Sequence, residues 1–140
     1  MTEPPDIPSH ARWLGHAQED LDHAESTLAS DDPIYRWVCV AAHQAAEKAF
    51  KAALIRAETE FPRIHDLERL QQLLPAHSAL RDVDVDLASL TEWSIAGRYP
   101  ADARDANDGD AKQAVRDARV VVDALAATFA LPPEEQSAER

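Results

Sequence analysis

Cysteine is almost missing from this chain of 140 residues: Cys39 stands alone, so no internal disulfide can form. That usage fits a reducing cytoplasm, the expected location. Long apolar runs are missing too. The longest is residues 37–42, far short of the roughly 20 residues that cross a bilayer, so no membrane association is expected. The first residues lack the basic, apolar and small-residue blocks of a signal peptide, and none is expected. Glycine occurs only three times, and Val, Ile and Thr are scattered. No alternating run is longer than residues 83–87, and no repeat has a fixed period. Strands therefore have little to build on. Basic residues are scarce as well: 14 Lys plus Arg stand against 26 Asp plus Glu, for a net charge of −12. The average surface repels polyanions, and any nucleic-acid contact must use a local cationic cluster.

What remains is rich in Ala, Leu, Glu, Asp and Arg, the composition of helices. A first helix is expected over residues 9–29, with Ser9 as its cap and Leu14, Ala17, Leu21, Ala24 and Leu28 on one stripe. Gly15, beside that stripe, is expected to let a neighbouring helix come close. Asp32 and Pro33 signal a second helix that runs to about residue 57. Its apolar set includes Ile34, Val38, Ala41, Ala45, Ala49 and Ala52, widened by Trp37, Val40, Phe50 and Leu54. A helix apolar over so much of its girth belongs at the centre of a bundle. Phe61-Pro62 breaks the chain before a short helix over residues 66–74. Another is expected over 84–96, stopped by Gly97, with Trp93 or Ser94 facing inward. A polar loop then leads to a last helix over 111–129, capped by Asp108 or Asp110. The expected fold class is all-α, a four- to five-helix up-and-down antiparallel bundle. Residues 11–130 form its single domain, after an extension over 1–10 and before a frayed tail over 131–140.

Several polar groups invite a chemical reading. Arg36, Val40, His43, Glu47, Phe50 and Leu54 share one helical face. His43 and Glu47 are one turn apart and can touch; Glu47 and Lys51 can pair. On the plain reading this is the edge of a packed helix, with Lys48 and Lys51 in solvent. Cys39 and His43 are also one turn apart, but Cys39 lies between Val38 and Val40 and reads as inert packing. His16 and His23 are seven residues apart, about 10.5 Å of helical rise, too far to share one ion. His65 sits just before a helix start that Asp66 can cap, a junction able to set its charge state. In "GRYP", residues 97–100, Arg98 and Tyr99 combine a phosphate grip with a stacking ring. Equally, Arg98 at a helix end can neutralise carbonyls.

Four strings in order carry a family resemblance: "WLGHAQEDLDHAESTL" (13–28), "AAHQAAEKAFKAALI" (41–55), "IHDLERL" (64–70) and "GRYP" (97–100). Together the chain resembles a HEPN domain over residues 11–129. The resemblance implies a small helical bundle that pairs into a homodimer. It also implies a genomic neighbour, a minimal nucleotidyltransferase, in a prokaryotic toxin–antitoxin-like pair. Many members are metal-independent endoribonucleases; others bind nucleotides or RNA, or act as interaction modules. The ribonuclease members carry an Arg followed, after about four to six residues, by His. The position-matched arginine is Arg98, and no histidine follows His77. Arg36 and His43 satisfy the spacing, but they fall on the second helix, two turns apart.

The expectation is therefore a binding module without the usual catalytic pair. Arg98, Tyr99 and His65 would bind a nucleotide or RNA phosphate. His43, Gln44, Glu47 and Lys48 match the family signature on a helix edge near the dimer seam or the groove beside Arg98. No catalytic residue, metal ligand or cofactor is assigned. The alternatives are an endoribonuclease that pairs Arg98 with His65 or His43, and a purely structural dimerisation subunit.

Overall fold

The structure, a computed structural model, describes residues 8–94 and 105–130. Five α-helices and one short 3₁₀ turn occur among them, and no strand: α1 (Ser9–Leu28), α2 (Tyr35–Arg56), α3 (Leu67–Leu73), the turn Ala79–Asp82, α4 (Leu87–Thr91) and α5 (Asp108–Ala130). The all-α bundle expected from periodicity is what the chain forms. No helix among the described residues is long and apolar enough to cross a membrane.

Helix α2 is the axis. Val38, Cys39, Ala42, Ala45, Ala46, Ala49, Phe50, Ala52 and Leu54 are wholly buried. Its alanines let α1 and α5 lie against it on two sides, and α3 and α4 cover part of the rest. From α1 come Ala17, Leu21 and Ala24; from α5 come Ala114, Ala118, Val121, Val122 and Leu125. α1 runs antiparallel to both partners. Its first turn meets the end of α5, where His10 stands edge-on to Phe129 at 5.1 Å between ring centroids. Arg56, at the end of α2, lies over the same Phe129 ring at 5.0 Å. Farther along, Arg119 of α5 pairs with Glu25 of α1.

Helix boundaries depart from the sequence reading where local capping decides them. Ser9 is the first residue of α1, not its cap; Pro8 precedes it, with no side-chain cap hydrogen bond. Asp32 does not cap α2, which starts at Tyr35 after an extended Ile34. Trp37, expected in the core, is 52% exposed on the outer face of α2. Gly15 brings no helix closer: a Cβ added there meets nothing within 4 Å. The helix expected over 84–96 is divided: Asp86 caps α4, accepting from the Ser89 amide, and α4 ends at Thr91. Gly97 lies outside the described residues. The expectation at Asp66 holds, since its carboxylate accepts from the Glu68 and Arg69 amides. α5 begins earlier than expected, through a reciprocal cap. The Asp110 amide donates to Asn107 Oδ1 at 2.8 Å, and the Asn107 amide donates to Asp110 Oδ2 at 3.0 Å.

α2 stops in a Schellman motif. The Thr59 amide donates to the Leu54 carbonyl and the Glu58 amide to the Ile55 carbonyl. This geometry needs a left-handed residue, and Glu58 supplies it at φ 54° where glycine is usual. The reversal turns the chain back along α2 and delivers residues 61–66 to its polar edge.

Candidate functional site

Glu47 projects from α2 beneath that returning segment. Its carboxylate is nearly buried, with the side chain 12% exposed. Oε2 accepts from Lys51 Nζ at 2.9 Å, and Oε1 accepts from His65 Nδ1 at 2.7 Å. His43, one turn earlier, donates from Nε2 to the His65 carbonyl at 2.9 Å, and that same nitrogen lies 3.9 Å from Glu47 Oε1. α2 thus grips His65 twice, by its ring and by its backbone.

These bonds fix proton positions. A carbonyl only accepts, so the proton of the His43 ring is on Nε2. Burial holds the His43 pKa below its ordinary value, outweighing the His65 carbonyl and Glu47, which favour the charged form. His43 therefore favours its neutral form. Burial alone would push Glu47 upward. The hydrogen bonds from Lys51 and His65 outweigh it, and the carboxyl is held below its ordinary range. A charged Glu47 places the His65 proton on Nδ1. That leaves Nε2 with no hydrogen bond among the described residues, on a side chain 47% exposed.

His65 lines two adjoining depressions. One, of about 190 Å³, is edged by Gln44, Glu47 and Lys48; the other, of about 340 Å³, by Asp66, Arg69 and Glu92. Ser94 borders both. The fold therefore gathers His43, Gln44, Glu47, Lys48 and His65, which sequence reasoning singled out, around one groove. Arg98 and Tyr99 lie outside the described residues; Ser94 is the last described residue before them.

The two lysines differ from expectation. Lys51 is not solvated: it is 9% exposed, paired with Glu47, with its ammonium 6.0 Å from the Phe61 ring centre. Only its spacing from Glu47 signalled this. Lys48 keeps part of its surface but is bound to Asp20 of α1 at 2.6 Å. That ion pair takes up the acidic member of the His16, Asp20 and His23 face, and His16 leans instead toward Glu19 at 3.7 Å. Cys39 is fully buried, so a nucleophile there would have no access to substrate. Sequence reasoning missed Arg69 as a groove residue, because it lies on a different helix from the polar edge.

The comparisons with known proteins agree with this architecture. The HEPN domain family matches residues 10–128. The chain is similar to the crystal structure of TT1696 from Thermus thermophilus, with a TM-score of 0.68 and 28% identity, covering 86% of this chain and 98% of that one. It is also similar to ST0689, an archaeal HEPN homologue, with a TM-score of 0.65 and 22% identity, covering 88% of this chain and 99% of that one. At that identity the second likeness speaks for the fold alone. No curated protein matches in sequence. With the family match spanning nearly all of an α2-centred bundle, the chain belongs to the HEPN domain family.

Proposed function

We propose that this chain is a HEPN-type binding module, acting as a homodimer, whose groove receives the phosphate of a nucleotide or RNA, or a nucleotidyltransferase partner of a toxin–antitoxin-like pair. One observation carries the reading. His65 is locked by Glu47, with Nε2 outside the hydrogen bonds among the described residues, in a groove that also holds Lys48 and Arg69. An imidazole so placed donates to an anion when protonated. Arg98 and Tyr99 follow Ser94 closely in sequence and would complete the grip. The net charge of −12 opposes loose RNA binding and suits a basic partner protein. Titration of the purified protein with ATP, oligoribonucleotides and the product of the adjacent gene tests this. Binding weakened by Arg98→Ala and His65→Ala supports it; indifference to all three ligands ends it.

The same dyad favours a second reading, a metal-independent endoribonuclease. A carboxylate on Nδ1 fixes the tautomer whose Nε2 can take a proton from an attacking 2′-hydroxyl. Arg98 would hold the phosphate. Cleavage of total RNA without divalent metal, lost in both Arg98→Ala and His65→Ala, would favour this reading over pure binding. Intact RNA at high enzyme excess would remove it. A purely structural subunit would dimerise and bind none of these ligands.

A further inference from the structure

Two lysines beside the groove are already paired. Lys51 is neutralised by Glu47 at 2.9 Å, and Lys48 by Asp20 at 2.6 Å. Arg69 of α3 faces the groove together with two carboxylates, Asp66 before α3 and Glu92 after α4. His43 favours its neutral form and gives its proton to a carbonyl. With His65 uncharged, the described groups around the groove offer an anion no net positive charge. Histidine is the side chain type whose uptake of a proton changes this, and the His65 ring lies exposed at the groove. Its Nδ1–H is already engaged, so an added proton goes to Nε2, the atom without a hydrogen bond among the described residues. Glu47, buried at 2.7 Å, is placed to stabilise the imidazolium.

Resting on the reading of the groove as an anion site, we propose that it takes its anion together with a proton. His65 becomes imidazolium as a phosphate-like oxyanion docks on Nε2, with Glu47 as the positioning residue behind it. Affinity then falls as pH rises, because the docked oxyanion favours the protonated ring over the neutral one. The limiting slope is about tenfold per pH unit, the signature of one linked proton.

The probe is inorganic sulfate, whose charge is constant over the range. Binding is followed by NMR of the His65 ring from about pH 5 to 8, where histidine titrates. The expected result is tightening toward acid and a His65 titration displaced upward by sulfate. His65→Asn, at an exposed position, should abolish the pH dependence while circular dichroism shows the fold intact. Glu47→Gln should move the limb to lower pH. Sulfate binding that is flat in pH, or ATP binding with no sulfate binding at any pH, overturns the proton linkage and leaves the anion groove standing. Absence of binding by both anions at every pH overturns the two together.

Discussion

Glu47 and His65 are 18 residues apart in sequence and meet through a 2.7 Å hydrogen bond. Behind it, the same carboxylate holds Lys51. One acidic side chain therefore both satisfies a buried cation and orients an exposed imidazole.

Replacing that carboxylate by a neutral amide tests the first role. Glu47→Gln leaves Lys51 charged and buried without a counterion. Removing one partner of a buried pair costs about 3 kcal/mol, or roughly 10 °C in melting temperature for a chain of this size. Thermal and urea unfolding at neutral pH measure it. A loss within experimental error would mean that Lys51 escapes to solvent.

Acid should weaken the fold in two stages. His43 has a native pKa below its ordinary 6.5, so the unfolded chain holds the extra proton in the window beneath that value. Stability falls as pH drops through it. Glu47 is held below its ordinary 4.5, so its contribution is complete above that value and is lost as pH falls through the native one. Urea midpoints measured across this range should show both declines. His43→Gln, which can still donate to the His65 carbonyl, should erase the first and spare the second.

Asp117 works in the opposite sense. It is 7% exposed, and burial raises its pKa above the ordinary 3.8, against a lowering hydrogen bond from Gln113. The native state holds the extra proton in the window above 3.8, so ionisation of Asp117 costs stability at neutral pH. Asp117→Asn keeps the oxygen that accepts from Gln113 and should raise the melting temperature at neutral pH. The advantage should shrink as acid protonates the wild-type carboxyl. Equal melting temperatures at neutral pH would contradict the burial argument.

Two backbone positions should yield stability cheaply. A methyl at Gly15 meets nothing and removes glycine from a helix interior, so Gly15→Ala should gain about 0.5–1 kcal/mol. Glu58 holds a left-handed conformation at φ 54°, which glycine adopts without strain. Glu58→Gly should gain a smaller amount, because the freed unfolded chain offsets part of the relief. Differential scanning calorimetry of the two variants separates the effects.

Periodicity in the sequence was enough for the main outline. The spacing of Ala17, Leu21 and Ala24, and of Val38, Ala45, Ala49 and Ala52, determined which helix faces are buried and that α2 lies at the centre. The i, i+4 spacing also set the Glu47–Lys51 pair, because one helical turn brings those side chains together whatever lies around them. Boundaries were less legible. α5 starts at a cap that Asn107 shares with Asp110, and α2 ends in a reversal that carries no glycine.

The site was decided by the tertiary fold. Nothing local to "IHDLERL" says that His65 will sit on Glu47, nor does anything local to α2 say that Lys48 will be claimed by Asp20. Those bonds join segments far apart in the chain, and they form only once α1 and the 61–66 segment dock on α2. Burial set the rest: the same packing that makes Glu47 a counterion disfavours the charged form of His43 and leaves the His65 ring exposed at the edge. Helical repeat is a property of neighbours in sequence; charge state is a property of neighbours in space.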